Sequence, residues 1–169
     1  MNRVGTGYDL HRLAKNEDLI LGGVKIEHHL GLRGHSDADV LVHALIDALL
    51  GAAALGDIGI HFPPGDPRFR GISSLELLKE TRDMLSRERW HLINADSVII
   101  AEKPLLAPYI EAMRSNIAGI LAVPLCRVSV KATTTEGLGV CGREEGIAAQ
   151  AVVLLEKGGH PGPAGHEAK

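Results

Sequence analysis

Residues 36–55 read SDADVLVHALIDALLGAAAL, and this stretch indicates how the chain folds. Its apolar residues recur every three or four positions, which predicts an amphipathic helix with one face turned to a core. We expect Ser36 or Asp37 to cap this helix at its start, and Gly56 to end it. The apolar positions are Val40, Leu41, Ala44, Leu45, Ala48 and Leu49.

Strand-like and helix-like segments alternate on both sides of this helix. Residues 3–13 are predicted as a strand, and residues 19–26 as a hairpin that turns at Gly22-Gly23. After the helix we predict a loop over 57–71, a helix over 73–89, a strand over 92–101, a helix from Pro108 to Leu121 and a strand over 128–133. The apolar run 147–155 fits a strand or a buried helix; we predict a strand, because it follows a Gly-rich turn and would complete a sheet.

This alternation predicts an α/β fold of the α+β type, with a mixed β-sheet and helices packed on one face. A length of 169 residues suits one domain, which we expect to span residues 1–157. Residues 158–169 contain Gly, Pro and His without apolar anchors, and we expect a disordered tail there.

Composition excludes several functional classes. The net charge is −3 and Lys and Arg form no long run, so the chain lacks the basic patch that nucleic-acid binding requires. Cys126 and Cys141 form no C-x-x-C pair, which favours a reducing compartment. No signal peptide or membrane-spanning apolar stretch is present, so we expect a cytoplasmic protein without membrane contact.

Asp9, His11 and His43 are the candidate metal ligands. Asp9 and His11 lie two apart on a predicted strand, so both side chains leave the same face. His43 lies on the 36–55 helix, in a polar stripe with Asp39 and Asp47. Two imidazoles and one carboxylate suit a zinc ion with an open fourth position. The alternative is that Asp9 is an ordinary surface residue and that the histidines are packed without a metal.

Two further segments are candidates for binding phosphate. His35-Ser36-Asp37 precedes a helix N-terminus, where free N–H groups favour an anion. Residues 131–137, KATTTEG, offer three hydroxyls and a carboxylate at a strand end, which suits phosphate and Mg²⁺. Arg143 fits a phosphate clamp or a surface ion pair equally well. Neither a P-loop, a dinucleotide-binding G-x-G-x-x-G nor a G-x-S-x-G elbow is present.

Three blocks together resemble the 2-C-methyl-D-erythritol 2,4-cyclodiphosphate synthase family of the non-mevalonate isoprenoid pathway. They are GTGYDLHRL at 5–13, HSDADVLVHALIDALLGAAALGDIGIHFPPGD at 35–66 and KATTTEGLGVCGREEGI at 131–147. The resemblance implies that 4-diphosphocytidyl-2-C-methyl-D-erythritol 2-phosphate closes to a cyclic diphosphate, with release of CMP. Such an intramolecular phosphoryl transfer depends on positioning and charge neutralisation.

The same resemblance implies roles for individual residues. Asp9, His11 and His43 would bind zinc, and Glu136 would bind a second cation, Mg²⁺ or Mn²⁺. His35 and Thr134 would stabilise the transition state. Ser36 would meet the diphosphate and Arg143 would lie near the phosphates. The residues expected to hold the sugar portions are Asp57, Ile58, Gly59, Phe62, Pro63, Pro64, Gly65 and Asp66. Further substrate-binding candidates are Thr133, Thr135 and Val140. Those expected around cytosine are Ala101, Pro104, Leu105, Leu106, Ala107 and Ala132.

The resemblance further implies a homotrimer with active sites between subunits. Two other functions stay open at this point. A zinc phosphoesterase would use metal-bound water and give open-chain monophosphates, whereas a binding module with structural zinc would need four closed protein ligands. Only three such ligands can be identified in the sequence.

Overall fold

The computed structural model describes residues 1–158, which form a single mixed α/β domain. The strands are β1 (Asn2–Ala14), β2 (Leu19–Leu21), β3 (Val24–Ile26), β4 (Gly31–Arg33), β5 (Trp90–Ile100), β6 (Val128–Thr133) and β7 (Gly146–Lys157). The helices are α1 (Val40–Ala53), α2 (Ile58–His61), α3 (Ser74–Arg87), α4 (Ile110–Leu121) and α5 (Gly139–Gly142). Short 3-10 turns span Pro67–Phe69, Ala107–Tyr109 and Leu125–Arg127.

The main sheet has five strands in the order β4-β1-β7-β5-β6, and β2 and β3 form the separate, predicted hairpin. β5 and β6 run parallel while the other pairs are antiparallel, so the sheet is mixed as predicted. The strand prediction for residues 147–155 is confirmed, because β7 lies at the centre of the sheet between β1 and β5.

The helices cover one face of this sheet. α1 packs on β1 and β7, α3 packs on α1 and β5, and α4 packs on β6 and α3. The approach of α1 to β1 is close because Gly5 and Gly7 face it; a Cβ on Gly7 would lie 2.0 Å from the Ala44 carbonyl oxygen. The opposite face of the central strands exposes apolar side chains, namely Val4, Tyr8, Leu10 and Val152.

Several predicted boundaries were wrong. Asp39, not Ser36 or Asp37, caps α1 by accepting a hydrogen bond from the Val42 N–H, because Asp37 is engaged with Ser74 instead. The predicted loop 57–71 contains α2 and a 3-10 turn, both capped by aspartates. Pro108 lies in the 3-10 turn ahead of α4 rather than in the helix. β4 and α5 are too short to give a sequence pattern. The predicted tail lies outside the described residues, apart from Gly158.

Candidate active site

Asp9 and His11 of β1 converge with His43 of the first turn of α1. The Asp9 Oδ2 atom lies 2.9 Å from His11 Nε2 and 3.0 Å from His43 Nδ1. The two ring nitrogens are 3.2 Å apart. In a tetrahedral zinc site with bonds near 2.0 Å, ligand atoms lie about 3.3 Å from one another. Within residues 1–158 this is the one cluster of three such side chains that could hold a metal ion.

The electrostatics of the cluster favour a cation at its centre. Burial alone would raise the pKa of Asp9, but hydrogen bonds and positive charge from His11 and His43 outweigh burial and lower that pKa well below its usual value. Burial would likewise lower the pKa of His11, but Asp9 and the Arg33 carbonyl outweigh it and raise that pKa. The ionised Asp9 carboxylate is therefore stabilised by positive charge on its neighbours. A metal ion bound by the three side chains can supply that charge in place of the protons on the histidines.

The ring nitrogens that face away from the cluster also have partners. The His11 Nδ1–H donates to the Arg33 carbonyl at 3.0 Å, which leaves Nε2 free to ligate. His43 Nε2 lies 2.9 Å from Ser74 Oγ and 3.1 Å from Ser36 Oγ. Metal-bound histidines usually have such a partner on the second nitrogen, because it fixes the tautomer and the ring orientation. The donor set and its surroundings thus fit a divalent metal.

A cavity of about 270 Å³ opens beside this cluster. Nine of the residues singled out from the sequence line it: Asp9, His11, His35, Ser36, His43, Ile58, Gly59, Phe62 and Pro64. Asp47, Phe69 and Leu77 complete the wall. Asp47 lies on the polar stripe of α1 and accepts the Ile58 N–H at 2.8 Å, so it ties α2 to α1. No sequence signal pointed to Phe69 or Leu77, whose partners come from distant segments.

The rest of the 57–66 segment lies beside this cavity and does not line it. Asp57 caps α2 by accepting the Ile60 N–H. The Asp66 carboxylate accepts three hydrogen bonds from Arg68, which lower its pKa, and its carbonyl accepts from His35 Nε2 at 3.2 Å. Pro63 and Gly65 are not among the lining residues. Asp66 therefore helps to place His35, and its carboxylate is already engaged.

A second cavity of about 260 Å³ lies between β5, β6 and the start of α4. Eight residues predicted from the sequence line it: Ala101, Pro104, Leu105, Leu106, Ala107, Ala132, Thr133 and Thr134. The wall is mostly apolar. Glu102 and Ile110 also line this cavity.

Glu102 holds the turn that follows β6. Its Oε1 accepts hydrogen bonds from the Thr135 N–H at 2.8 Å, the Thr135 hydroxyl at 3.1 Å and the Gly137 N–H at 3.2 Å. The Gly137 and Thr135 N–H groups lower the pKa of Glu102. Glu136, between them, has a positive φ of 52° and accepts from the Thr134 hydroxyl at 2.8 Å. Sequence reasoning missed Glu102, because its partners lie more than thirty residues away.

The structure does not bring the two cavities together within one chain. At the level of the site, Asp9 of β1 and Ala132 of β6 lie in one row of paired residues that crosses the sheet through β7 and β5. β6 is therefore three strand spacings from β1, a separation of about 14 Å. Glu136, Val140 and Arg143 line neither cavity, and Arg143 forms an ion pair with Glu145 at 2.8 Å. The metal cluster and Glu136 therefore belong to different parts of the protomer surface.

Comparison with known proteins agrees with these features. The YgbB family profile matches residues 2–156. The chain is 61% identical over 155 residues to 2-C-methyl-D-erythritol 2,4-cyclodiphosphate synthase of Syntrophomonas wolfei, covering 92% of this chain and 99% of that protein. It is 56% identical over 157 residues to the Synechocystis protein of the same name, covering 93% and 98%. In the described residues no helix is long and apolar enough to cross a membrane.

Solved structures give the same result. A 2C-methyl-D-erythritol-2,4-cyclodiphosphate synthase in its CDP-bound form has a TM-score of 0.84 and 38% identity, covering 91% of this chain and all of that one. The bifunctional IspDF of Campylobacter jejuni has a TM-score of 0.88 and 46% identity over 92% of this chain, which spans 42% of IspDF. The chain therefore belongs to the YgbB family, the 2-C-methyl-D-erythritol 2,4-cyclodiphosphate synthases, and is a phosphorus–oxygen lyase of isoprenoid biosynthesis.

Proposed function

We propose that the chain converts 4-diphosphocytidyl-2-C-methyl-D-erythritol 2-phosphate to 2-C-methyl-D-erythritol 2,4-cyclodiphosphate and CMP. An oxygen of the 2-phosphate attacks the β-phosphorus, and the bond from that phosphorus to the CMP oxygen breaks. The convergence of Asp9, His11 and His43 beside a cavity, in a chain of this family, is the observation that carries the proposal.

The three ligand atoms would hold one zinc ion, because two imidazoles and a carboxylate leave one tetrahedral position for substrate. When bound, zinc supplies a Lewis acid for a phosphate oxygen. The attacking phosphate is already anionic, so this chain needs no strong general base. His35 and Ser36 line the same cavity, and their ring and hydroxyl would donate hydrogen bonds to the diphosphate.

The second cavity would hold the cytosine. CDP is bound in the solved relative described above and in the Plasmodium falciparum IspF complex. Cytosine would lie among Ala101, Pro104–Ala107 and Ala132, while the sugar alcohol would contact the α2 segment of the first cavity. Thr133–Thr135 and Arg143 would face the phosphates, and Glu136 would bind Mg²⁺ or Mn²⁺ there, with Thr134 stabilising the transition state.

One substrate molecule could occupy both cavities if the first cavity of one subunit faced the second cavity of its neighbour. We therefore propose a homotrimer with active sites between subunits. Two observations support this arrangement. Within one chain about 14 Å separates β1 from β6 at the level of the site. The uncovered face of the sheet exposes Val4, Tyr8, Leu10 and Val152, and an apolar patch of this kind commonly marks an interface between subunits.

Phosphorus NMR of the product tests the reaction. The purified protein, with zinc and Mg²⁺, is incubated with 4-diphosphocytidyl-2-C-methyl-D-erythritol 2-phosphate. We expect CMP and a cyclic product with two coupled phosphorus signals. Open-chain monophosphates would instead indicate hydrolysis by metal-bound water, and unchanged substrate would contradict both reactions.

The variant His43→Ala tests the metal site. We expect a folded oligomer in which CMP release falls at least about a hundredfold. The reason is that the variant lacks one zinc ligand, so the positive charge that zinc would supply to the phosphates is lost. His91→Ala is the matched control, because His91 is exposed at the opposite end of β5. Near-normal turnover of His43→Ala would remove this residue from the mechanism.

A further inference from the structure

The imidazole of His43 has protein partners on both nitrogens. Nδ1 faces Asp9 and His11, whereas Nε2 lies 2.9 Å from the hydroxyl of Ser74, the first residue of α3. Ser74 is fully buried although it is polar. A buried hydroxyl needs hydrogen-bond partners, so the partners of Ser74 show what its side chain does. The side chain contacts the lining residue His43 from behind and is not itself among the residues that line the cavity.

The direction of these hydrogen bonds can be derived from the groups themselves. Ser74 donates its N–H to Asp37 Oδ2 at 3.0 Å and its hydroxyl proton to Asp37 Oδ1. A serine hydroxyl has one proton, and an ionised carboxylate can only accept. Ser74 Oγ therefore accepts from the Nε2–H of His43, which leaves Nδ1 as the nitrogen that can give up its proton and ligate a metal.

We propose that Ser74 and Asp37 are positioning residues that fix the tautomer and orientation of His43 for cation binding. The proposal rests on the metal site of the proposed function. Asp37 polarises the Ser74 hydroxyl, and Ser74 holds the imidazole through Nε2. The chain of bonds spans α3, the segment before α1, and α1 itself, so it joins the two helices at the site.

Without the Ser74 hydroxyl, the imidazole of His43 can adopt its other tautomer, with the proton on Nδ1. Its Nδ1 lies 3.0 Å from the Asp9 carboxylate, so a proton on Nδ1 would form a charge-assisted hydrogen bond there. That proton occupies the lone pair that a metal needs. Ser36 Oγ, 3.1 Å from Nε2, is the remaining acceptor, and it also accepts the Ala38 N–H at 3.2 Å.

Zinc affinity of the metal-free full-length protein tests the proposal, measured by competition with a chelating dye. We expect Ser74→Ala to weaken zinc binding about ten- to a hundredfold. Ser73→Ala is the matched control: this neighbouring hydroxyl caps α3 through the Leu75 N–H and is exposed. It should lower the stability of α3 but leave zinc affinity unchanged. Asp37→Asn keeps an oxygen acceptor for Ser74, so its effect on zinc affinity should be smaller than that of Ser74→Ala.

Two readouts separate positioning from a general loss of structure. In the His43→Ala background, Ser74→Ala should cause no further loss of zinc affinity, because the two residues act through one bond. In ¹⁵N-histidine spectra of the zinc-loaded protein, the Nε2 proton of His43 should be protected from exchange, and Ser74→Ala should remove that protection. If Ser74→Ala does not fold, Asp37→Asn carries both measurements.

The outcomes distinguish this proposal from the proposed function. If the unaltered protein binds no zinc, both the proposed metal site and the positioning role of Ser74 are wrong. If the unaltered protein binds zinc and Ser74→Ala binds it equally well, only the positioning role is overturned. Equal losses in Ser74→Ala and Ser73→Ala, or additive losses with His43→Ala, would also overturn it.

Discussion

His11 and His43 present different ring nitrogens to the same point. His11 uses Nε2 because its Nδ1 donates to the Arg33 carbonyl, while His43 uses Nδ1 because its Nε2 meets Ser74. The sequence predicts the first part of this arrangement, since Asp9 and His11 share one face of a strand. It does not predict the second part, because Ser74 lies 31 residues beyond His43 and reads as part of a capping box.

A similar limit applies to Ser36 and Asp37. Either residue fits the local pattern of a helix cap, yet Asp39 caps α1 and its carboxylate also accepts the Gly23 N–H at 2.7 Å. Asp37 is drawn to α3 by two hydrogen bonds to Ser74. Local sequence indicates that a cap is present, whereas long-range partners decide which residue provides it.

Glu136→Gln tests the proposed second cation at this scale. The substitution removes a negative charge but keeps an oxygen that can accept from Thr134. We expect the Mg²⁺ concentration for half-maximal CMP release to rise about tenfold or more, since interactions with a charged group contribute about 1.5–3 kcal/mol. The measurement is a Mg²⁺ titration at saturating zinc, with Glu144→Gln, a half-buried carboxylate that pairs with Lys103, as the control. An unchanged titration would contradict a ligand role for Glu136.

At the scale of elements, β1 and α1 must lie close together for Asp9 and His11 to reach His43. Gly5 and Gly7 provide this proximity, because a Cβ at either position would lie 2.0 Å from a carbonyl oxygen of α1. In a sequence, a glycine within a strand indicates a weakened strand and gives no sign of what packs against it. The packing role of these two glycines becomes visible only when the facing helix is in place.

Gly7→Ala should therefore separate β1 from α1. We expect the free energy of unfolding to fall by about 1–3 kcal/mol, as overpacking typically costs, and zinc affinity to fall with it. Gly51→Ala is the matched control in α1, where an added Cβ meets nothing within 4 Å; it should stabilise the protein by about 1 kcal/mol. Denaturant titration measures both changes, and a Gly7→Ala variant as stable as the unaltered protein would refute close packing.

The cap of α1 gives a pH-dependent prediction. Asp39 is fully buried, and burial raises its pKa to about 6, although backbone N–H groups of Gly22, Gly23 and Val42 oppose this shift. The folded state then binds a proton that the unfolded state has released between about pH 4 and 6. Stability from this group is therefore present below pH 4 and is lost as pH rises through 6.

Asp39→Asn removes this titration while keeping an oxygen for the Val42 N–H. Relative to the unaltered protein, the variant should gain stability as pH rises from 4 to 7, by up to about 3 kcal/mol. Urea unfolding at several pH values, with metal chelated and protein concentration fixed, measures the difference. Parallel pH profiles for the two proteins would show that Asp39 stays ionised in the fold.

At the scale of the whole molecule, the prediction of the mixed sheet with helices on one face holds because each of its main strands and helices was predicted from an apolar segment of at least six residues. β4, α2 and α5 were missed because each has three or four residues, too few for a period to appear. Residues of both cavities could be named from the resemblance to the family. Their separation by three strands could not, because register is a property of the folded sheet.

The separation of the cavities makes assembly part of the catalytic proposal, and Val152→Lys tests it. Val152 is 42% exposed on the uncovered face of β7, opposite Thr6 of β1 and Asp96 of β5. Asp96, which already pairs with Lys131 at 2.6 Å, lies directly opposite position 152 within the protomer, so the added charge faces a carboxylate and folding should be preserved. In a homotrimer built on this face, three lysines would be brought together and association would be weakened by charge repulsion and desolvation.

We therefore expect Val152→Lys to shift from trimer to monomer in sedimentation analysis, with CMP release falling by at least about a hundredfold. Zinc affinity should be unchanged, because Asp9, His11 and His43 belong to one chain. Ser86→Lys, on the exposed side of α3, controls for the added charge and should leave both mass and activity unaltered. A monomeric Val152→Lys variant with normal turnover would show that one protomer binds and converts the substrate alone, and that the second cavity serves another purpose.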